Sequence, residues 1–265
     1  MKIGIVGSGN MATALASGFI SSKKVTQADI TLSDKSAENL AKWNGTDVNT
    51  SVDNTEVCQK SDLIIYAVKP NVLPYVLDET KDFVKDKIVI SIAAGVTIKT
   101  LEKHLGSNVK IIRAMPNTPA QVGCGMTVLS PNAAVLANET EFICDLFSGV
   151  GSAVILDEKY INAATALHGS SPAYIYMMIE TMANSGVKHG IPKDISLKLA
   201  AKATEGAARM VLETGEHPAK LKDAVCSPGG TTIAAVLELE RGGFSSTVSA
   251  AVDACVKRAE EMSKN

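Results

Sequence analysis

The sequence predicts an α/β chain: a doubly wound parallel sheet first, then a domain made only of helices. Three features carry that expectation. The apolar run Lys2–Val6 passes directly into Gly7-Ser-Gly-Asn-Met-Ala12 and then into a helical stretch. Short apolar runs alternate with helical segments through the first half, as strands of a parallel sheet do when each crossover is a helix. Strand patterns stop after Asp157, and helical stretches punctuated by Gly and Pro follow to the end. The expected domains are therefore 1–157 and 158–265.

The first turn is G-x-G-x-x-A between a strand and a helix, which makes the first domain Rossmann-type. Gly7 permits the tight turn, Gly9 lets a pyrophosphate approach the backbone, and Ala12 keeps the helix close to its strand. The second strand, Asp29–Ser33, ends at Asp34-Lys35-Ser36. An acid there suits the ribose hydroxyls of NAD, whereas Lys35 and Ser36 suit the 2′-phosphate of NADP, so both dinucleotides stay open. Further strands are expected at Asp62–Val68, Lys87–Ile92 and Val109–Met115. Ligands of a parallel sheet bind beyond the carboxyl ends of its strands. Gly7–Met11, Val68–Pro70, Ala93–Gly95 and Met115–Thr118 should therefore gather on one edge. A strand near Gly125–Leu129, a helix through Phe147 and a strand near Ala153–Leu156 complete this domain.

The second half reads as helices at Tyr160–Leu167, Ala173–Lys188, Asp194–Glu213, a short one after Pro218, Ile233–Glu240 and Ser245–Met262. Ala173–Met182 is apolar around most of its circumference, which predicts burial against a partner chain and hence a homodimer or larger assembly. Within this half, Asp223-Ala-Val-Cys-Ser-Pro-Gly-Gly-Thr-Thr232 leads into a helix. Ser227 suits an N-cap and Pro228 a first helical position, while Gly229-Gly230 admits close approach to the backbone. The unpaired amides of that first turn, with two Thr hydroxyls, make a seat for a small anion such as a carboxylate.

Composition narrows the function. A formal net charge of −2 argues against nucleic acid or a membrane surface as partner, and 46% hydrophobic with 20% charged residues is ordinary for a globular protein. Five cysteines without a CxxC pair read as free thiols in a reducing compartment, not as metal ligands. With no signal-peptide pattern and no bilayer-length apolar run, the expected location is cytoplasmic. His104 and His189 read as solvated, and His168 and His217 flank loops. No Ser/His/Asp order, HExxH pattern or carboxylate pair stands out, and no metal is expected.

Six segments together carry a resemblance: Gly7–Met11, Ala67-Val-Lys-Pro70, Ser91-Ile-Ala-Ala-Gly-Val96, Arg113-Ala-Met-Pro-Asn-Thr-Pro119, Gly169-Ser-Ser-Pro-Ala-Tyr174 and Asp223–Thr232. In this order and over nearly the whole chain, they resemble the pyrroline-5-carboxylate reductase family. The resemblance implies reduction of the cyclic imine Δ1-pyrroline-5-carboxylate to L-proline by NADPH or NADH, the last step of proline biosynthesis. It also implies a homodimer with entwined helical domains, often assembled into a decamer. By position, Gly7, Ser8, Gly9, Asn10, Met11, Asn54, Val68, Lys69, Pro70, Ala93, Met115 and Asn117 would line the cofactor site, with Asp34, Lys35 and Ser36 at its adenosine end. Ser227, Gly229, Gly230, Thr231 and Thr232 would hold the substrate, with Thr232 nearest the ring nitrogen and so the catalytic candidate. His168 departs from the small residue expected before Gly169.

Two other readings compete. A β-hydroxyacid dehydrogenase shares the two-domain plan but needs a base for the hydroxyl proton, a Lys on the helix after the interdomain glycine segment. Gly169–Val187 contains no Lys. A non-catalytic NAD(P)-binding redox sensor would leave Gly229–Thr232 without a task.

Overall fold

The computed structural model describes residues 1–263 and divides them into two compact units. The first comprises Met1–Ser170 together with the described residues from Cys255 onward, and the second is Ser171–Ala254.

Eight strands form the sheet of the first unit: β1 Ile3–Val6, β2 Ile30–Ser33, β3 Asn49–Ser51, β4 Leu63–Tyr66, β5 Ile88–Ser91, β6 Lys110–Met115, β7 Gly125–Pro131 and β8 Gly151–Ile155. Their spatial order is β3-β2-β1-β4-β5-β6-β7-β8. The helices are α1 Asn10–Ser21, α2 Ala37–Ala41, α3 Asn54–Lys60, α4 Leu73–Thr80, α5 Ile98–Leu105, α6 Ala137–Ser148 and α7 Ile161–Ala164. The order reverses direction between β1 and β4, which opens the crevice where ligands of such sheets bind. Registers are tight: Val6 pairs with both Ser33 and Tyr66, Tyr66 with Ser91, and Ser91 with Arg113. The carboxyl ends of β1, β2, β4, β5 and β6 therefore lie along one edge, as expected from sequence.

Alternating side chains of these strands feed two cores. Ile3, Ile5, Leu63, Ile65, Ile90 and Ile112 pack with Leu15 and Phe19 of α1 and Ile143 and Phe147 of α6. Phe19 meets Phe147 edge to face, with ring centroids 5.4 Å apart. Ile64, Tyr66, Val89 and Ile111 point into the second core with Cys58, Leu73, Val76 and Leu101. Burial on both faces explains why these strands read as continuous apolar runs.

Two features depart from the expected sheet. β3 is a polar edge strand, Asn-Thr-Ser, with no apolar run to announce it. β7 runs antiparallel to β6 while β8 returns parallel to β7, so the sheet is mixed at this end. Only a short connection, residues 116–124 with a 3-10 turn at Thr118–Val122, joins β6 to β7. That is too short for the crossover a parallel neighbour needs, and an antiparallel return is what it permits.

The second unit contains α8 Ser171–Lys188, α9 Lys193–Thr214, α10 Pro218–Ala224, α11 Thr231–Arg241 and the first part of α12 Phe244–Ser263. The break expected across His168–Pro172 narrows to a bend at Ser170, between a π-type turn, Thr165–Gly169, and α8. Pro172 is accommodated at the start of α8, where its missing N–H costs nothing. In this unit only Ala183, Ser196 and Ala200 are buried, whereas Tyr176, Met177, Leu199 and Leu212 are exposed. Among the described residues no helix is long and apolar enough to cross a membrane.

Candidate active site

The turn after β1 is set by Gly7, whose φ of +100° suits glycine alone. A Cβ there would lie 2.8 Å from the Ala67 carbonyl oxygen. Its N–H donates to the Ser33 carbonyl at 2.8 Å, fastening the loop to β2. Ser8 is fully buried. Its N–H donates to Asp34 Oδ2 at 2.9 Å and its hydroxyl to the Asn39 carbonyl at 3.1 Å. Trp43 Nε1 donates to the same hydroxyl at 3.4 Å, and Lys42 Nζ donates to the Ser8 carbonyl at 2.5 Å. Gly9 precedes α1 with no side-chain cap, and a Cβ built on it meets nothing within 4 Å. Asn10 is exposed and Met11 half-buried on the first turn of α1. Unpaired amides at the positive end of the helix, with open space above Gly9, fit the pyrophosphate of a dinucleotide.

At the expected adenosine end, Asp34 carries bonds that its sequence reading did not include. Asp34 Oδ1 accepts from the Ser36 N–H at 2.9 Å, and Oδ2 accepts from Asn39 Nδ2 at 3.1 Å as well as from Ser8. The carboxylate thus braces the glycine loop against the end of β2, while Lys35 and Ser36 are exposed beside it. Lys42 adds positive charge here: burial lowers its pKa from the ordinary value, and Asp34 pushes back. Asn39, Lys42 and Trp43 carried no signal in the sequence, because they reach the loop only through the fold. Asn54, buried on the first turn of α3, accepts from the Ser33 hydroxyl at 2.8 Å and donates to Glu79 Oε2 at 2.9 Å. Glu79 can only accept, so the amide orientation of Asn54 is fixed.

Beyond β4, Val68 is half-buried and Lys69 and Pro70 are exposed; the Lys69 carbonyl accepts from the Val72 and Leu73 amides. Beyond β5, Ala93 is buried and Gly95 has a φ of +77°. At the end of β6, Met115 and Asn117 are both buried. Asn117 Nδ2 donates to the His168 carbonyl at 2.9 Å, and its Oδ1 accepts from the Met126 N–H at 2.8 Å. Arg113, 2% exposed, donates from Nη1 to Glu158 Oε1 at 3.0 Å, and Glu158 also accepts from the Ile98 N–H at 2.7 Å. Burial lowers the Arg113 pKa and Glu158 opposes that shift. The pair ties β6 to the start of α5.

The Ser227 stretch belongs to the second unit and is built differently from its sequence reading. The N-cap of α11 is Gly230, not Ser227. Pro228 and Gly229 form a tight turn in which the Gly230 N–H donates to the Ser227 carbonyl at 3.0 Å and Gly229 takes a φ of +67°. Proline at the first central position and glycine at the second favour that turn over a helical start. Thr231, exposed, and Thr232, half-buried, then occupy the first two helical positions. The first intrahelical bond is Ala234 N–H to Gly230 at 3.4 Å, so the amides of Thr231, Thr232 and Ile233 precede the ladder. A Cβ at Gly230 would sit 3.0 Å from the Ser227 hydroxyl oxygen. The unpaired first-turn amides expected of an anion seat are thus present, shifted to the residues after Gly230.

The histidines are more engaged than the sequence suggested. His104 bonds Asp78 at 2.9 Å and holds the Asp78 carboxyl below the usual range. His217 caps α10 by accepting from the Ala219 N–H at 3.2 Å. His168 contacts two carbonyls, described below.

Comparison with known proteins shows the family. Residues 158–262 match a family model described as pyrroline-5-carboxylate reductase dimerisation, and residues 2–95 match one described as NADP oxidoreductase coenzyme F420-dependent. The pyrroline-5-carboxylate reductase of Escherichia coli is 45% identical over 100% of this chain and 99% of its own length. That of Pisum sativum is 39% identical over 98% of this chain and 96% of its own. Among solved structures, a pyrroline-5-carboxylate reductase from Coxiella burnetii superposes with a TM-score of 0.94 at 35% identity, covering 100% of this chain and 99% of that one. A pyrroline carboxylate reductase from Plasmodium falciparum with NADP bound gives 0.90 at 33% identity, covering 99% and 98%.

Proposed function

The chain belongs to the pyrroline-5-carboxylate reductase family, and from that premise we propose how its residues divide the work. It is an oxidoreductase that reduces Δ1-pyrroline-5-carboxylate to L-proline with NADPH, the last step of proline biosynthesis. When bound, the cofactor supplies the hydride. The observation that carries the reading on this chain is the Gly7–Met11 turn, whose open face at Gly9 lies over the unpaired amides of α1.

The residue roles follow from chemistry. Gly7, Ser8, Gly9, Asn10 and Met11 seat the pyrophosphate, and Lys35 and Ser36 reach the 2′-phosphate. Asp34 acts by bracing Ser8. Val68, Lys69, Pro70, Ala93, Met115 and Asn117 line the remainder of the cofactor, and Asn54 supports it from beneath β2. Ser227, Gly229, Gly230, Thr231 and Thr232 hold the substrate, the α11 amides taking its carboxylate. Thr232 supports the ring nitrogen as the C=N bond becomes an amine. Imine reduction needs no strong general base, and the roles proposed here call for none.

Thr232 is the decisive test. One partly charged hydrogen bond shielded from water is worth about 1.5–3 kcal/mol, or about 10- to 150-fold in rate. Thr232→Ala should lower kcat/KM for the imine by that factor with NADPH affinity nearly unchanged, whereas Ser227→Ala should act through substrate KM. Wild-type kcat/KM in Thr232→Ala would remove it from the mechanism. NADPH binding without any imine-dependent oxidation in the unmodified protein would instead revive the redox-sensor reading.

The chain is a homo-oligomer. The exposed apolar helices of Ser171–Ala254 support a dimer through this region, with assembly of dimers into a decamer as the larger form. We place the functional boundary at 157/158 and the protein in the cytoplasm, where five unbridged thiols stay reduced.

A further inference from the structure

We propose that His168 is a positioning residue for the hydride-donating end of the cofactor, acting through the main chain at Met115 and the amide of Asn117. The inference rests on the dinucleotide reading of the first unit given above. With the adenosine end at Ser33–Ser36, beside β2, a dinucleotide crossing the β1/β4 crevice lays its other half over β4, β5 and β6. The carboxyl end of β6, Met115–Asn117, is thus on the hydride-donating side.

His168 grips that segment twice. Its ring Nε2 is 2.8 Å from the Met115 carbonyl oxygen, and its own carbonyl accepts from Asn117 Nδ2 at 2.9 Å. The other ring nitrogen, Nδ1, is 2.6 Å from the Ala164 carbonyl one turn earlier. Carbonyls only accept, so a ring with one N–H serves one of them, and a ring with an N–H on each nitrogen serves both. Asn117 passes the restraint on, since its Oδ1 takes the Met126 N–H of β7 at 2.8 Å. The amide cannot be reversed, because a carbonyl faces one end and an N–H the other.

The local backbone is arranged to make this reach. Thr165–Gly169 is a π-type turn closed by the Ser170 N–H to Thr165 carbonyl bond at 2.9 Å, a wide turn of the kind that recurs at functional sites. Ser170 and Thr165 of this turn line a cavity of about 290 Å³ with Ala94, Gly95 and Met115. Those last three residues are the β5 and β6 exits. A residue of the small size expected before Gly169 would keep the main-chain carbonyl that Asn117 uses but has no atoms to reach Met115, so the grip on Met115 is a property of histidine at this position.

The experiment compares full-length wild type, His168→Ala and His168→Gln. It measures NADPH oxidation at saturating imine, and affinities for NADPH and for 2′-phospho-ADP-ribose, which lacks the nicotinamide. Misplacing reacting groups by about 1 Å costs about 100-fold in rate, so a loosened β6 exit should lower kcat about 5- to 20-fold in His168→Ala. NADPH affinity should fall relative to the fragment, whose own affinity stays unchanged. His168→Gln keeps one donor and should recover part of the loss. Unchanged kcat and an unchanged NADPH-to-fragment ratio in both variants would overturn the proposal. An equal fall for NADPH and fragment would also overturn it, since that marks general damage to the domain. Wild-type protein that binds neither ligand would refute the dinucleotide reading itself, an outcome distinct from both.

Discussion

Replacing Asp34 by alanine separates two roles for an acid at the end of β2. A carboxylate reading ribose hydroxyls would matter to NADH and little to NADPH. The structure gives this carboxylate three other duties: Ser8 N–H, Ser36 N–H and Asn39 Nδ2. The last two are at exposed residues, where water replaces the lost bond at small cost. Ser8 is fully buried, so its amide would be left without an acceptor. A buried donor stranded in this way costs about 1–3 kcal/mol. The loop can avoid that cost by loosening, but binding must then reorder it. Both cofactors should therefore lose affinity together, by about 5- to 150-fold. Fluorescence titration of NADPH and NADH against wild type and Asp34→Ala measures both constants. A loss confined to NADH, with NADPH unchanged, would refute the bracing argument and restore Asp34 as a ribose reader.

Three further expectations follow from the geometry. Lys35→Ala should raise the NADPH KM while leaving that for NADH in place, and an unchanged ratio of the two would remove Lys35 as the reader of the 2′-phosphate. Glu158→Ala leaves the buried Arg113 guanidinium without its carboxylate and with only a 3.5 Å bond to Asn162 Oδ1, and should lower the free energy of unfolding in urea by about 3 kcal/mol, the low end for a broken buried pair because Glu158 is 29% exposed. The midpoint of thermal unfolding should rise with protein concentration, as it does when folding is linked to association; light scattering that finds a fully active monomer would contradict this.

Much of the first unit was legible because its signals are local. The G-x-G-x-x-A turn and the apolar runs of β1, β4, β5 and β6 each state their structure within a few residues. β3 was not, since a polar edge strand is held by pairing with β2 and has no pattern of its own. The direction of β7 depends on the length of the 116–124 connection, which periodicity does not report. At the site, the positions along the sheet edge were foreseen, but their partners were not. Asp34 reaches back to Ser8, 26 residues earlier, and His168 reaches Met115 across 53 residues. The start of α11 was misplaced for a different reason. Ser-Pro is a sound helix start in isolation, and it loses here only because Gly229 supplies the positive φ that closes a turn first.

The two units also differ in what holds their functional groups still. The glycine loop stands on strands buried on both faces, and its own polar groups are satisfied by Asp34, Asn39, Lys42 and Trp43. Such a seat is rigid before any ligand arrives, which keeps the ordering cost of binding low. The first turn of α11 has no comparable support within its own unit, where Ala183, Ser196 and Ala200 are the only buried residues and none lies on α11. Helices of that length gain most of their stability from packing an apolar face. Covering Leu237 and Leu239 of α11, both more than half exposed, would therefore do two things at once. It would stabilise the helix, and it would fix the amides of Thr231 and Thr232 that the proposed carboxylate seat depends on. The proposed carboxylate seat would then depend on association, because the burial that joins the chains would also order the turn proposed to hold the anion.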